Sequence, residues 1–186
     1  MEALSKRMLF LSGPYEDLSL TCTNLEGIPL YASFHLPTFT HTNALYNTLE
    51  RFKYFGVPVS LEGKSVFDFG SNLGAYSFES LRRGASKVTG FEISAERIAF
   101  CQDLASELNL EVQVQFQKIN LCTATLGDLK GTADLSFCLA VDCFVRCPWK
   151  LFSLVAMSTS KVCYLETNSS LSKEKVEKFW KDKGFH

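Results

Sequence analysis

The sequence contains no apolar run of about 18 or more residues, and neither sign of charge predominates in it. Among its 186 residues, 19 Lys and Arg stand against 20 Asp and Glu, which gives a formal net charge of −1. A membrane-spanning helix needs about 20 consecutive apolar residues, and a protein that binds DNA through its overall field needs a basic surplus. We therefore expect neither a membrane nor DNA as a partner, and only a local basic patch is compatible with nucleic acid.

The seven cysteines include no Cys-x-x-Cys pair, the spacing that structural zinc sites usually contain. The N-terminus also lacks an export signal, because Lys6 and Arg7 are followed by an apolar run of only residues 8–11. An odd number of cysteines without an export signal is typical of reduced thiols in the cytosol. We therefore predict a cytoplasmic protein with free thiols and no metal site.

The chain is long enough to form a core without such cross-links, since 46% of its residues are hydrophobic. The predicted pattern of secondary structure changes near residue 60. Over residues 18–34, apolar and polar residues follow the pattern of a β-hairpin. Residues 43–55 have apolar residues at helical spacing, with Thr42 as the expected N-cap. We expect residues 1–59 to form a hairpin-and-helix cap and residues 60–186 to form the binding domain.

From residue 63 onward, predicted strands and helices alternate, which is typical of an α/β fold. The predicted strands are residues 65–69, 87–92, 111–121, 133–141 and 161–166, and helices are expected over residues 75–83 and 95–108. In the third strand, Val112, Val114 and Phe116 alternate with glutamines, a pattern expected of an edge strand. The sequence therefore predicts a doubly wound, Rossmann-like, mainly parallel sheet with the strand order 3-2-1-4-5.

A glycine loop follows the first of these strands, where ligands bind in such folds. A nicotinamide fingerprint would place glycine at Gly70, Asn72 and Ala75, and only the first of these is glycine. Instead, Asp68 ends the strand two residues before the loop, and Gly74 closes the loop. A carboxylate there can bind an ammonium group but would repel a pyrophosphate. The loop therefore predicts a ligand with an amino group.

Further candidate binding residues follow the next two strands. Glu92 ends the second strand, where an acidic side chain can bind both ribose hydroxyls through its two carboxylate oxygens. Ile93 can lie against an adenine face, and the amide oxygen of Asn120 can accept a hydrogen bond from an exocyclic amine. A role of Asn120 as a simple turn residue is as compatible with the sequence as this contact with the base. Together these residues predict an adenosine-containing ligand.

Three segments resemble motifs I, II and IV of the class I S-adenosylmethionine-dependent methyltransferases. They are LEGKSVFDFGSNLG at residues 61–74, RGASKVTGFE at residues 83–92 and ADLSF at residues 133–137. The resemblance extends over about residues 60–185 and is most similar to small-molecule and tRNA-modifying members. Asn72 replaces the middle glycine of the commonest motif I, and Asn120 stands where the family often has Asp. The resemblance also implies a terminal antiparallel strand pair, which we expect to be missing.

The resemblance implies S-adenosylmethionine as the cofactor, and methyl transfer to a small molecule or an RNA nucleoside. Asp142 and Glu166 are the candidate general bases, together with Asn168, because they follow the fourth and fifth strands. Two other functions stay open, a degenerate partner subunit and, less favoured by the loop spacing, an NAD-dependent oxidoreductase. The apolar fifth strand would form an open edge, so we expect pairing with residues 18–34 or with a second copy in a homodimer.

Overall fold

The computed structural model describes residues 30–168 and 171–185, and it begins with four short strands and a helix. These elements are β1 (Leu30–Ala32), β2 (Phe34–His35), β3 (Thr40–His41), β4 (Ala44–Tyr46) and α1 (Thr48–Tyr54). β1 pairs in parallel with β4, and β2 pairs antiparallel with β3. The turn of the hairpin predicted over residues 18–34 lies outside the described residues, while residues 30–34 pair with later parts of the N-terminal segment.

The helix predicted over residues 43–55 is shorter than expected, and its first part is a strand. Leu30 and Ala32 lie opposite Ala44 and Tyr46, so tertiary pairing overrides the helical spacing there. The N-cap is Asn47 rather than Thr42, because the Asn47 side chain accepts hydrogen bonds from two N–H groups of the first turn. The prediction of a helix is thus correct only from residue 48 onward.

The main sheet has five parallel strands. They are β5 (Ser65–Phe69), β6 (Lys87–Glu92), β7 (Val114–Lys118), β8 (Ala133–Leu139) and β9 (Thr159–Glu166). Their order is β7-β6-β5-β8-β9, which confirms the predicted order 3-2-1-4-5 with the polar-alternating strand at an edge. The chain reverses direction across the sheet between β5 and β8, and the carboxyl ends of these strands form the topological switch point.

Helices cover both faces of this sheet, as a doubly wound fold requires. They are α2 (Ala75–Arg82), α3 (Ala95–Glu107), α4 (Leu126–Leu129), α5 (Pro148–Ser158) and α6 (Lys173–Asp182), with a 3-10 turn at Asp142–Phe144. One core cluster joins α2, α3 and the N-terminal segment, and the other joins α5 and α6. No helix within residues 30–168 and 171–185 is long and apolar enough to cross a membrane.

The N-terminal segment packs directly on the sheet and on α2. The buried ring of Phe52 in α1 lies 5.6 Å from that of Tyr76 and 5.2 Å from that of Phe137 in β8. Across the described ranges, neither an antiparallel strand nor any other strand pairs with the outer edge of β9. The N-terminal segment therefore packs against α2 and β8, and its role as a cap stays a prediction.

Candidate cofactor site

A cleft with two connected lobes lies at the carboxyl ends of the strands, beside the switch point. The smaller lobe has an empty volume of about 420 Å³ and the larger one about 990 Å³. Four residues line both lobes, namely Tyr31, Gly70, Asn72 and Leu139. Because these four residues line both lobes, the two lobes adjoin each other.

The smaller lobe contains the carboxyl group of Asp68, the last residue but one of β5. This side chain is only 4% exposed, and its Oδ2 accepts a hydrogen bond from Ser77 Oγ at 2.7 Å. Burial raises the pKa of Asp68 to about 6, with a smaller contribution from the charge of Glu92, whereas the hydrogen bonds from Ser77 oppose the rise. A cationic ligand group close to Asp68 would therefore stabilise the ionised form of this carboxyl group.

Ser71 lines the same lobe, and its hydroxyl oxygen lies beside β6, 2.8 Å from the position that a Cβ on Gly90 would take. Its hydroxyl oxygen is buried and has no hydrogen-bond partner among the described side chains and backbone. Buried hydroxyls without partners are rare in folded proteins. The smaller lobe therefore fits a ligand that carries charged and hydrogen-bonding groups.

The glycine loop takes its shape from backbone conformations that favour glycine. Gly70 has a φ of +72°, and a Cβ on it would lie 2.7 Å from Cγ2 of Val141 in the cleft. Gly74 has a φ of +80°, and a Cβ there would lie 2.9 Å from the ring of Phe116. Gly70 lines the cleft, whereas Gly74 is not among the lining residues and is required for packing at the N-terminus of α2.

The side chain of Glu92 joins the glycine loop to the end of β6 by a hydrogen bond. Its Oε2 accepts the backbone N–H of Asn72 at 2.9 Å, and its Oε1 accepts those of Ile93 and Ser94 at 2.8 and 3.0 Å. Arg97 lies 3.8 Å from Oε1. Asn72 itself has a φ of +53°, a left-handed conformation that asparagine tolerates better than most residues. Since Oε1 already has two N–H donors, Oε2 has more capacity for a further hydrogen bond.

Glu92, Ile93 and Asn120 all line the larger lobe, and their role in binding adenosine stays a prediction. Ile93 is 58% exposed, and so is Phe144 of the 3-10 turn, which lines the same lobe. The side-chain oxygen of Asn120 accepts the N–H of Cys122 at 3.0 Å. Asn120 therefore shapes a turn while it lines the cleft.

Asp142 and Glu166, the predicted bases, are not among the residues that line either lobe. Asp142 is 1% exposed, and its Oδ1 accepts the backbone N–H of Asn168, which does line the larger lobe. Glu166 receives two hydrogen bonds from the guanidinium of Arg51 in α1, at 3.1 and 2.5 Å. Asp142 thus contacts a residue that lines the cleft, whereas Glu166 contacts α1, and the catalytic role of both stays a prediction.

Several residues of the cleft carried no sequence signal. Tyr31 is the middle residue of β1 and Phe144 the last residue of the 3-10 turn, and neither matches a motif. The position of Val141 opposite Gly70 depends on pairing between distant strands. Arg97 could have been noticed as a cation five residues after Glu92, in the first turn of α3. In the described ranges no group of three or more potential metal ligands occurs, and the six cysteines there are free.

Comparison with protein-family models finds no match, and no curated protein sequence matches the chain. Several solved protein structures, in contrast, are similar to this chain in fold. StiE O-MT is 20% identical with a TM-score of 0.59 over 73% of this chain and 49% of its own. Magnesium protoporphyrin IX methyltransferase (ChlM) from Synechocystis PCC 6803 was solved with bound S-adenosylmethionine. It is 20% identical, with a TM-score of 0.58 over 74% of this chain and 66% of its own. The cyclase SpnF is 16% identical, with a TM-score of 0.51 over 60% of this chain and 41% of its own.

The chain spans less than half of some of these structures, 41% of SpnF and 45% of the N-terminal domain of EvdMO1. At identities of 16–20% the similarity concerns the course of the backbone. It agrees with the doubly wound, parallel sheet described above. The chain therefore adopts the fold of the class I S-adenosylmethionine-dependent methyltransferases.

Proposed function

We propose that this chain binds S-adenosylmethionine along the cleft and transfers its methyl group to a small molecule or an RNA nucleoside. One observation carries the proposal. The carboxyl groups of Asp68 and Glu92 line opposite lobes of a single cleft at the switch point, and the lobes share one wall. The presence of bound S-adenosylmethionine in ChlM, which has the same fold, supports this choice of ligand.

Each part of the ligand has a group of suitable chemistry in the cleft. Asp68 would bind the ammonium group, with Ser71 as a neighbouring hydrogen-bonding group. Glu92 would bind a ribose hydroxyl through Oε2, since Oε1 is already occupied by two N–H donors. Ile93 and Phe144 would cover the faces of the base.

Methyl transfer requires alignment more than covalent chemistry by the protein. When bound, S-adenosylmethionine supplies a methyl carbon attached to a sulfonium, which an acceptor lone pair attacks while the carbon–sulfur bond breaks and its electrons stay on sulfur. The chain holds the reacting groups in line and excludes water. In this scheme Asp142 acts by holding the backbone at Asn168, and Glu166 acts by holding Arg51 and with it the cap.

Cofactor choice can be tested by thermal unfolding of the chain with S-adenosylhomocysteine or NAD. At 100 times its Kd a ligand that binds only the folded state stabilises it by about 2.7 kcal/mol, which shifts the Tm by several degrees. We expect a rise with S-adenosylhomocysteine and none with NAD. A rise with NAD alone would support an oxidoreductase, and no rise with either would support a partner subunit.

Catalysis can be tested separately with S-adenosylmethionine that carries a radiolabelled methyl group. The chain is incubated with the RNA fraction or the small-molecule fraction of a cell extract, and label in either fraction is measured before and after ribonuclease treatment. We expect incorporation that is lost in Glu92→Ala and retained in Glu111→Ala, which alters an exposed residue outside the cleft. Ligand binding without incorporation in any fraction would favour a binding function.

A further inference from the structure

Tyr31 is the only aromatic residue in the wall that the two lobes share. The other shared residues are Gly70, Asn72 and Leu139, of which the first two belong to the glycine loop. Leu30 and Ala32 are buried at 0% and 6% exposure, whereas Tyr31 between them is half-buried. Because side chains alternate along a strand, Tyr31 projects to the opposite side from its two neighbours.

The ring of Tyr31 is held in place by a cluster from the N-terminal segment. It meets the ring of Tyr46 edge-on, with centroids 5.1 Å apart, and the guanidinium of Arg51 lies 4.5 Å from the centre of the Tyr46 ring. Burial and the nearby charge of Glu166 raise the pKa of Tyr31, so the phenol stays neutral at physiological pH. The positive charge of Arg51 is balanced by Glu166. The cluster therefore presents a fixed, neutral aromatic ring.

The position of the ring relative to the two carboxylates determines which part of the ligand it meets. If the amino-acid end lies at Asp68 and the nucleoside at Glu92, the sulfur atom that joins them must pass the shared wall. A sulfonium is a cation with little hydration, and the face of a tyrosine ring attracts cations within about 6 Å of its centre.

On the basis of the proposed function, we infer that the ring of Tyr31 contacts the sulfonium and makes the site prefer S-adenosylmethionine to S-adenosylhomocysteine. The two ligands share the amino-acid and nucleoside groups, and they differ in the charge on sulfur. After methyl transfer the sulfur is neutral and loses this attraction, so the same contact favours release of the product. Tyr31 is thus a specificity-determining residue for the charge state of the ligand.

The inference is tested by measuring the Kd of both ligands by calorimetry for the parent, Tyr31→Phe and Tyr31→Leu. Tyr31→Phe retains the ring, so the ratio of the two Kd values should stay within twofold of the parent ratio. Tyr31→Leu should weaken S-adenosylmethionine binding about fivefold more than S-adenosylhomocysteine binding. Tyr54→Leu, at a tyrosine that is 83% exposed and outside the cleft, should change neither Kd.

If Tyr31→Leu fails to fold, Tyr31→Met is a second variant that lacks the ring. It should give the same change in the ratio of the two Kd values. An equal loss of affinity for both ligands in these variants would mean that Tyr31 only shapes the cleft, and would overturn the inference while the proposed cofactor stands. If the parent chain binds neither ligand, the proposed function fails and the inference fails with it.

Discussion

The carboxylate of Glu92 accepts the backbone N–H of Asn72 at 2.9 Å, which ties the glycine loop to the neighbouring strand. The two residues are 20 positions apart in the chain. The same carboxylate accepts two more backbone N–H groups at the start of the segment that leads into α3. The side chain expected to bind ribose therefore also shapes the loop before any ligand enters, and substitution at this position should affect stability as well as binding.

Glu92→Ala should lower both the stability of the chain and its affinity for S-adenosylhomocysteine. A buried N–H that loses its partner costs about 1–3 kcal/mol, and a charge-assisted hydrogen bond to ribose contributes about 1.5–3 kcal/mol before compensation by water. Urea unfolding measures the first effect, and calorimetry measures the second. Glu111→Ala is the control. Parent-like affinity in Glu92→Ala would refute the ribose assignment.

Asp68 should make stability depend on pH in a defined direction. Its pKa is raised from 3.8 to about 6 in the folded state, so the folded state disfavours the ionised form. The free energy of unfolding should therefore fall as the pH rises from about 4 to above 6, by about 3 kcal/mol at most. Asp68→Asn lacks this titration. The unfolding free energy of this variant minus that of the parent should increase over the same range, and a constant difference would contradict the raised pKa.

Binding of S-adenosylmethionine should show the complementary dependence on pH. The ammonium group needs an ionised Asp68, and near or below pH 6 a growing fraction of the free protein carries the neutral form. The Kd measured by calorimetry should therefore increase as the pH falls from 7.5 to 5.5. Asp68→Asn should bind weakly at every pH in this range. A parent Kd that does not change with pH would argue against an ammonium partner at Asp68.

Gly70 should tolerate no side chain, for two separate reasons. Its left-handed conformation costs a non-glycine residue about 1–2 kcal/mol, and a Cβ would also collide with Val141. Gly63→Ala is the matched control, because Gly63 has a φ of +69° with no atom within 4 Å of the added Cβ. Gly70→Ala should destabilise the chain more than Gly63→Ala, and Gly70→Val should abolish cofactor binding. Unchanged binding by Gly70→Val would refute the loop assignment.

Arg51 and Glu166 should be coupled in stability. Their paired hydrogen bonds join α1 to the end of β9, and both side chains are mostly buried, with 14% and 26% exposure. In a cycle of Arg51→Met, Glu166→Gln and the double variant, we expect a coupling energy of about 1 kcal/mol from urea unfolding. Additive effects, together with loss of methyl transfer in Glu166→Gln alone, would instead support Glu166 as a general base.

The outer edge of β9 leads to a prediction about assembly. Val162 on this strand is 40% exposed, and within the described ranges β9 pairs only with β8. If two copies pair through this edge, light scattering should give about twice the chain mass of 20.9 kDa, and Val162→Glu should restore the monomer. A monomeric parent would exclude the homodimer. Of the predicted hairpin, residues 30–34 pair with β4 and β3 instead of β9, so pairing of the edge by the hairpin stays a prediction for residues 18–29 alone.

The sequence alone determined the strand order, and it predicted residues that the structure places along one cleft. Glutamines that alternate with Val112, Val114 and Phe116 identified an edge strand, and Asp68 and Glu92, near the ends of their strands, each line one lobe of the cleft. These features are readable because apolar periodicity and strand ends are local properties of the chain, and the doubly wound topology then places the strand ends side by side.

Tertiary structure decided which other residues complete the site. Residues 44–46 form a strand rather than a helix because β1 pairs with them, and the same pairing brings Tyr31 to the wall between the lobes. Glu166 meets Arg51 across 115 positions of the chain. Such contacts depend on how distant segments pack and on which way each side chain projects, and the spacing of residues along one segment contains neither.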